Sequence, residues 1–341
     1  MVYEELRSIF VNSIYAYLFE GAIVIILNVP LTVTMILVNK IRCRREFQVI
    51  IGLQITDVAI GTAFMLTGIY RYKMVLNFGS DIPIVLRSEC TKELFVQLMT
   101  ISYQMQGILS MVVAFDRLLA VTIPIKYIKF GNHYNIIIIA TPCVTVLIPT
   151  VVNFLLTIND KSWVSALCLT REAVYPGFHA YILLMRMACI ISSGLIYLYI
   201  VLRLKQHLAK HEKVCHRVDT TQLRNIRHST VTVGLTTINA LVFLFIPDIV
   251  AYFEIAGIHQ NYATVLYSFY CVNVNLNFLI LITRHKEIRQ NFAYFVRVIL
   301  LRRHPTATTA QSINKAASNV APIRSGARLC KPDPYFISTN L

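Results

Sequence analysis

The 341-residue chain is 56% apolar, and only 14% of it is Asp, Glu, Lys or Arg, against about 25% in an ordinary soluble protein; its mean hydropathy is +0.60. That composition excludes a water-soluble globular enzyme. The formal net charge of +15 would suggest nucleic acid in a soluble chain, so the placement of the cations has to be explained.

Charge is gathered into clusters that leave seven long neutral stretches. Gly21 to Asn39 carries none, Phe47 to Tyr70 only Asp57, Leu94 to Phe115 none and Phe130 to Asn159 none. Ala173 to Leu202 carries only Arg186, His228 to Phe253 only Asp248, and Ile255 to Thr283 none. Each is near or above the ~20 residues a helix needs to cross the hydrocarbon core, and too long for barrel strands of ~9–11 residues. In lipid the backbone must satisfy its own hydrogen bonds, which a helix does internally. The expected fold is all-α, a seven-transmembrane helix bundle over 19–283, preceded by a short outer N-terminus, 1–18.

Seven spans place the termini on opposite sides. Lys40 to Arg45, Arg117 to Lys129, Arg203 to Arg227 and everything from Arg284 onward hold 24 of the 32 basic residues. The opposite side holds seven, and Arg186 lies within a span. The positive-inside rule therefore puts the N-terminus outside and the C-terminus in the cytosol. The net charge becomes an orientation signal and an attraction to anionic inner-leaflet lipid, and no nucleic-acid partner is expected. Glu4 and Glu5 stand where a cleavable signal would be basic, so span one should serve as an uncleaved signal of a multi-pass plasma-membrane protein.

Six of the eight cysteines fall in spans (Cys143, Cys189, Cys271) or on the reducing side (Cys43, Cys215, Cys330). Cys90, before span three, and Cys168, between spans four and five, remain as the outward pair. A bridge between them would tie the second outer loop over the bundle mouth; two unrelated thiols are the alternative. After span seven, Ile288, Phe292, Phe295 and Ile299 recur at spacings of four, three and four. That is one face of an amphipathic helix over 284–303, expected to lie on the inner leaflet. Residues 304–341, rich in Ala, Ser, Thr, Asn and Pro, read as a disordered cytosolic tail.

The inner end of span three reads Phe115-Asp116-Arg117-Leu118, followed by Pro124 and Tyr127. This resembles the Asp-Arg-Tyr region of rhodopsin-like G-protein-coupled receptors, with a proline seven residues after the arginine. Other landmarks fall in order: Asn28, Leu53-x-x-x-Asp57, the outer cysteine pair, Phe243-x-Phe245-x-Pro247, and Asn273-x-x-x-Asn277 in place of the family's Asn-Pro-x-x-Tyr. The likeness covers about Gly21 to Arg303. Leu118, Leu281 and Phe245 replace family aromatics, span four has no tryptophan and span five no proline. With His285-Lys286-Glu287-Ile288-Arg289 after span seven, the pattern is similar to nematode serpentine chemoreceptors of the Srsx type.

The resemblance implies a receptor, not an enzyme, that passes binding of a small extracellular ligand to a heterotrimeric G protein. Asp116 would restrain Arg117 by a charge-assisted hydrogen bond, and its release would open a groove for the C-terminal helix of Gα; a snorkelling boundary arginine is the alternative. Pro124 and Asn277 belong to the same coupling machinery, and Pro247 breaks a backbone hydrogen bond to give span six a pivot. Asp57 is an ionisable group deep in a span. Its neighbours by analogy are Asn28, Gln106, Asn273 and Asn277, a polar core holding either a sodium ion or water alone; no other cofactor is expected.

Arg186 and Asp248 stand at comparable depth, about nine residues inside their spans, or ~13 Å. They pair with each other, or Arg186 counters an acidic ligand, or it snorkels or meets water. Met99 occupies the position where amine-binding receptors carry an aspartate, which disfavours an amine. Met99, Tyr103 and Phe245 offer an apolar pocket suited to odorant-like molecules. A neuropeptide-type receptor of the same fold is the nearest alternative. A ligand-gated channel or transporter is the alternative from another class, opposed by the odd span count, the lack of repeats and the absence of a charged stripe. His207, His211 and Cys215 have zinc-like spacing, but a solvated basic face is the preferred reading and no metal is expected.

Overall fold

A computed structural model describes residues 2–42, 45–79, 81–123, 127, 130, 132–214, 231–253 and 263–300. Pro124, Cys215, the tail 304–341 and the side chains of His207 and His211 lie outside the described residues. Among the described residues, seven helices are long and apolar enough to cross a membrane: Val11–Leu37, Phe47–Phe78, Leu94–Thr122, Ile136–Ile158, Pro176–Arg203, Val231–Tyr252 and Val265–Arg284, called spans one to seven. They coincide with the seven neutral stretches, and the chain is a multi-pass membrane protein. "Outer" and "inner" follow the orientation expected from the charge distribution.

Several helices run past the neutral stretches. The first begins at Val2, the second continues to Phe78 and the third to Thr122. Charge marks where lipid ends, whereas a helix ends where its backbone bonding is interrupted. Nothing between Arg71 and Phe78 interrupts it; Gly79 does, at φ +61° with its N–H donating to Val75, a left-handed cap that an L side chain would strain.

Span one packs on two and seven, two on three, three on four and five, and six on five and seven. Spans one and two approach closely because their crossing is lined by glycine. A Cβ on Gly61 would stand 2.5 Å from Val24 Cγ1, and one on Gly21 2.6 Å from the Met65 nitrogen, the small-residue packing typical of membrane helices. Span four is the most peripheral and presents Ile137, Leu147, Ile148, Val151 and Leu155 outward. Apolar side chains facing away from the protein carry no penalty in lipid.

A lid covers the outer mouth. Strand β1 (Ile84–Leu86) pairs antiparallel with β2 (Trp163–Ser165), Val85 opposite Val164. Cys90 and Cys168 are disulfide-bonded, with Cα atoms 5.2 Å apart. Arg87 forms an ion pair with Asp160 and donates through Nε to the Glu172 carbonyl at 2.9 Å. Asp160 also accepts from the Ser162 hydroxyl and N–H, at 2.6 and 2.9 Å. Those bonds, together with Arg87, hold its carboxyl below the usual carboxylate range. The second outer loop is thereby fastened to spans three and four.

At the inner end, helix Lys286–Phe295 follows span seven and continues into a π-helical turn, Val296–Leu300. Its apolar face is not left wholly to the leaflet. Ile288 is fully buried and packs, with Phe292, among Leu31, Met35, Ile41, Phe47 and Phe278. The helix turns back beneath spans one and seven, so the bundle itself covers much of that stripe.

Candidate functional site

The candidate residues occupy three levels. At the outer level, Arg186 of span five lies against span three because Gly107 leaves room; a Cβ there would stand 2.9 Å from Arg186 Cγ and 3.1 Å from its Cα. Arg186 and Asp248 are 1% and 0% exposed, too buried for either charge to stand unpaired. Arg186 Nε donates to Asp248 Oδ2 at 2.6 Å, and Nη2 donates to Asp248 Oδ1 and to the Tyr270 hydroxyl. Tyr270 in turn donates to Asp248 Oδ1 at 2.6 Å. The guanidinium carbon lies 4.5 Å from the centre of the Tyr270 ring and 5.0 Å from that of Tyr103, within cation–π reach. Of the sequence readings of Arg186, the internal ion pair is the one present.

Met99, Tyr103 and Phe245 belong to one apolar cluster with Tyr17, Phe64, Phe178 and Tyr267. The Tyr103 hydroxyl and Arg186 Nη1 are buried without a hydrogen-bond partner among the described residues. Tyr270 escaped sequence reasoning. Its signal was its spacing, one turn before Asn273 on the same helix face.

At the middle level, a narrow cleft opens between spans two, three, six and seven, lined by Asp57, Gln54, Gln106, Ser110, Asn273 and Asn277 among others. Asp57, Gln106, Asn273 and Asn277 thus share one cavity. Asn28 is not in its lining; its amide donates to the Val24 carbonyl at 3.0 Å. Asp57 receives its only direct hydrogen bond among the described residues from Gln54 Nε2, at 3.4 Å. Asn239 Nδ2 donates to the Asn273 carbonyl, Asn273 Oδ1 and Asn277 Oδ1, each at 2.9 Å. Gln54 Oε1, both amide atoms of Gln106 and Asn28 Oδ1 have no hydrogen-bond partner among the described residues. A carboxylate with amide oxygens to spare has the hard-donor chemistry that suits sodium or ordered water. Gln54 and Asn239 are additions to the expected set. Gln54 precedes Asp57 by three residues, a same-face spacing readable in the sequence.

Span six is not a simple proline-kinked helix. Leu241–Phe245 forms a π-helical turn and the α-helix resumes at Ile246–Tyr252. Pro247 has no N–H to give and its ring crowds the carbonyl four residues back. A π turn immediately before it absorbs that crowding, so the weak point of the helix lies over 241–247 rather than at one residue.

At the inner level, Asp116 and Arg117 are buried, and Arg117 Nη2 lies 2.9 Å from Asp116 Oδ2. Asp116 Oδ1 also accepts from the hydroxyls of Tyr127 at 3.1 Å and Tyr134 at 3.0 Å. Tyr134 stacks on Phe130 with ring centres 5.0 Å apart. Burial, then the Asp116 carboxylate, pushes the Tyr134 phenol well above its usual range, so it stays a donor at any physiological pH. Tyr134 was not expected from the sequence, because the loop between Tyr127 and span four gives no periodicity from which to place it.

Residues 29–296 match the family model described as serpentine type 7TM GPCR chemoreceptor Srsx. No curated protein matches the chain.

Proposed function

The chain belongs to the Srsx family of serpentine seven-transmembrane G-protein-coupled chemoreceptors, and from that premise we propose that it transmits binding of a small extracellular ligand to a heterotrimeric G protein at the plasma membrane. The observation that carries this reading is the Asp116–Arg117 pair at the inner end of span three, held by two tyrosine hydroxyls. It is a discrete restraint that one conformation satisfies and another can release. Ligand in the outer half favours the open arrangement, span six yields over 241–247, Arg117 leaves Asp116, and the C-terminal helix of Gα enters the groove. To reverse a strongly closed equilibrium the ligand must prefer the open state by ~5 kcal/mol. The test is nucleotide exchange on purified Gα by receptor in lipid vesicles; ligand-gated current without any G protein would favour the channel reading instead.

Tyr134→Phe removes one hydrogen bond to a charged group, worth about 1.5–3 kcal/mol, from the restrained state. Ligand-independent exchange should rise roughly tenfold at unchanged surface expression. Unaltered basal exchange would show that Tyr134 does not hold the receptor closed.

Asp57, with the spare oxygens of Gln54 and Gln106, would hold a sodium ion or ordered water in the cleft. Asp57→Ala should impair signalling more than surface expression, measured by exchange and by labelling of intact cells. Equal loss of both would make Asp57 a folding residue only.

A further inference from the structure

A third buried guanidinium stands nearer the outer mouth, with no counter-ion among the described residues. Arg71 lies seven residues before the end of span two and is 5% exposed. Its Nε donates to the Leu167 carbonyl at 3.2 Å, beside the disulfide-bonded Cys168. Its guanidinium carbon is 5.1 Å from the centre of the Tyr17 ring. Among the described residues neither terminal nitrogen has a hydrogen-bond partner and no carboxylate pairs with it. Two acids of the outer half are held elsewhere. Asp248 is taken by Arg186 and Tyr270, and Glu20, one turn along span one from Tyr17, is hydrogen-bonded by Ser268 and Cys271.

Arg71 is also at ligand depth. It stands one turn outward from Thr67, whose hydroxyl is 3.8 Å from Met99 Sδ. Tyr267 is within electrostatic reach of both Arg71 and Arg186 and stacks on Tyr103, ring centres 6.3 Å apart and planes 2° from parallel. A desolvated cation lacking a partner is unfavourable in the empty protein and is relieved when an anion arrives.

We propose that Arg71 anchors the carboxylate of a monoanionic organic ligand whose apolar remainder lies among Tyr17, Tyr103 and Tyr267. The planar guanidinium matches a carboxylate's two oxygens, and the disulfide-tied Leu167 carbonyl fixes its orientation. One charge is the limit. Arg186 is already neutralised by Asp248, so a dianionic phosphate would bring a second negative charge with nothing to meet it, and an amine would be repelled. The inference deepens the receptor reading and rests on it for where a ligand sits, but its test needs no G protein.

The thermal unfolding midpoint of the full-length receptor in lipid nanodiscs is measured with millimolar phenylacetate or hexanoate, with phenylacetamide or hexanamide, and with inorganic phosphate, at matched ionic strength. A compound that binds only the folded state raises the midpoint by mass action. Both carboxylates should raise it, and the amides and phosphate should not. Arg71→Gln should abolish the rise, and Arg71→Lys, which keeps the charge without the fork, should retain a reduced one. The proposal is overturned if no carboxylate stabilises the wild type, if amides or phosphate match the acids, or if Arg71→Gln keeps the full effect. Should Arg71→Gln not fold, a preference of Arg71→Lys for acid over amide supports the anchor and its absence refutes it. A receptor that fails these measurements yet drives nucleotide exchange refutes the carboxylate anchor and leaves the receptor reading standing.

Discussion

Asp248→Ala is expected to leave almost no folded receptor at the cell surface. The substitution removes both acceptors of a bidentate pair and strands the Arg186 guanidinium, 1% exposed, between spans three, five and seven. Breaking one side of a buried pair costs about 3–5 kcal/mol, because the remaining charge stays desolvated; that is a large part of a typical total stability of about 5–15 kcal/mol. Tyr270 loses its acceptor as well, so one substitution disables the whole triad. The double variant Arg186→Met/Asp248→Leu removes both charges at similar volume and should recover much of the surface expression, since apolar replacement of a buried pair is often neutral. Surface labelling and the unfolding midpoint of the three proteins decide the matter. Wild-type levels of Asp248→Ala would mean that the pair does not hold the helices together.

Arg117→Ala is expected to remove coupling while leaving the folded receptor intact. Unlike Arg186, Arg117 stands near the inner boundary, and its removal leaves Asp116 still held by the hydroxyls of Tyr127 and Tyr134. An arginine at the centre of a docking groove carries about 2 kcal/mol or more of binding energy, so exchange on Gα should fall roughly thirtyfold. No agonist is needed to see this. In the Tyr134→Phe background, Arg117→Ala should return the elevated ligand-independent exchange to the floor. Full exchange in that double variant would show that Arg117 is only a boundary residue.

Much of the working site announced itself by cost. Arg186, Asp248 and Asp57 were conspicuous because charge is expensive in lipid, and Asp116 and Arg117 because they sit in a family motif. What each one touches was not legible. Arg186 suited an ion pair with Asp248 better than a ligand contact, but spacing could not decide between them, because the outcome depended on the rotation of spans five and six about their axes. Tyr270, Asn239, Gln54 and Tyr134 are neutral polar residues that any membrane helix or loop can carry; they matter only through the partner opposite them. Arg71 was misplaced by the same rule that worked elsewhere. Its charge suggested the end of span two, whereas the helix runs on to Phe78 and brings the guanidinium beneath the lid.

The number of spans and the Cys90–Cys168 pair were determined by the sequence alone, because hydrocarbon rejects charge and unpaired backbone groups residue by residue, and such penalties add along the chain. The Arg186–Asp248–Tyr270 triad, the π turn before Pro247, the tyrosine cage on Asp116 and the seat of Arg71 against Leu167 and Tyr17 were decided only by tertiary structure. Each depends on which faces of separate helices meet, and that follows from close packing at positions such as Gly61 and Gly107, where the absence of one side chain lets another approach.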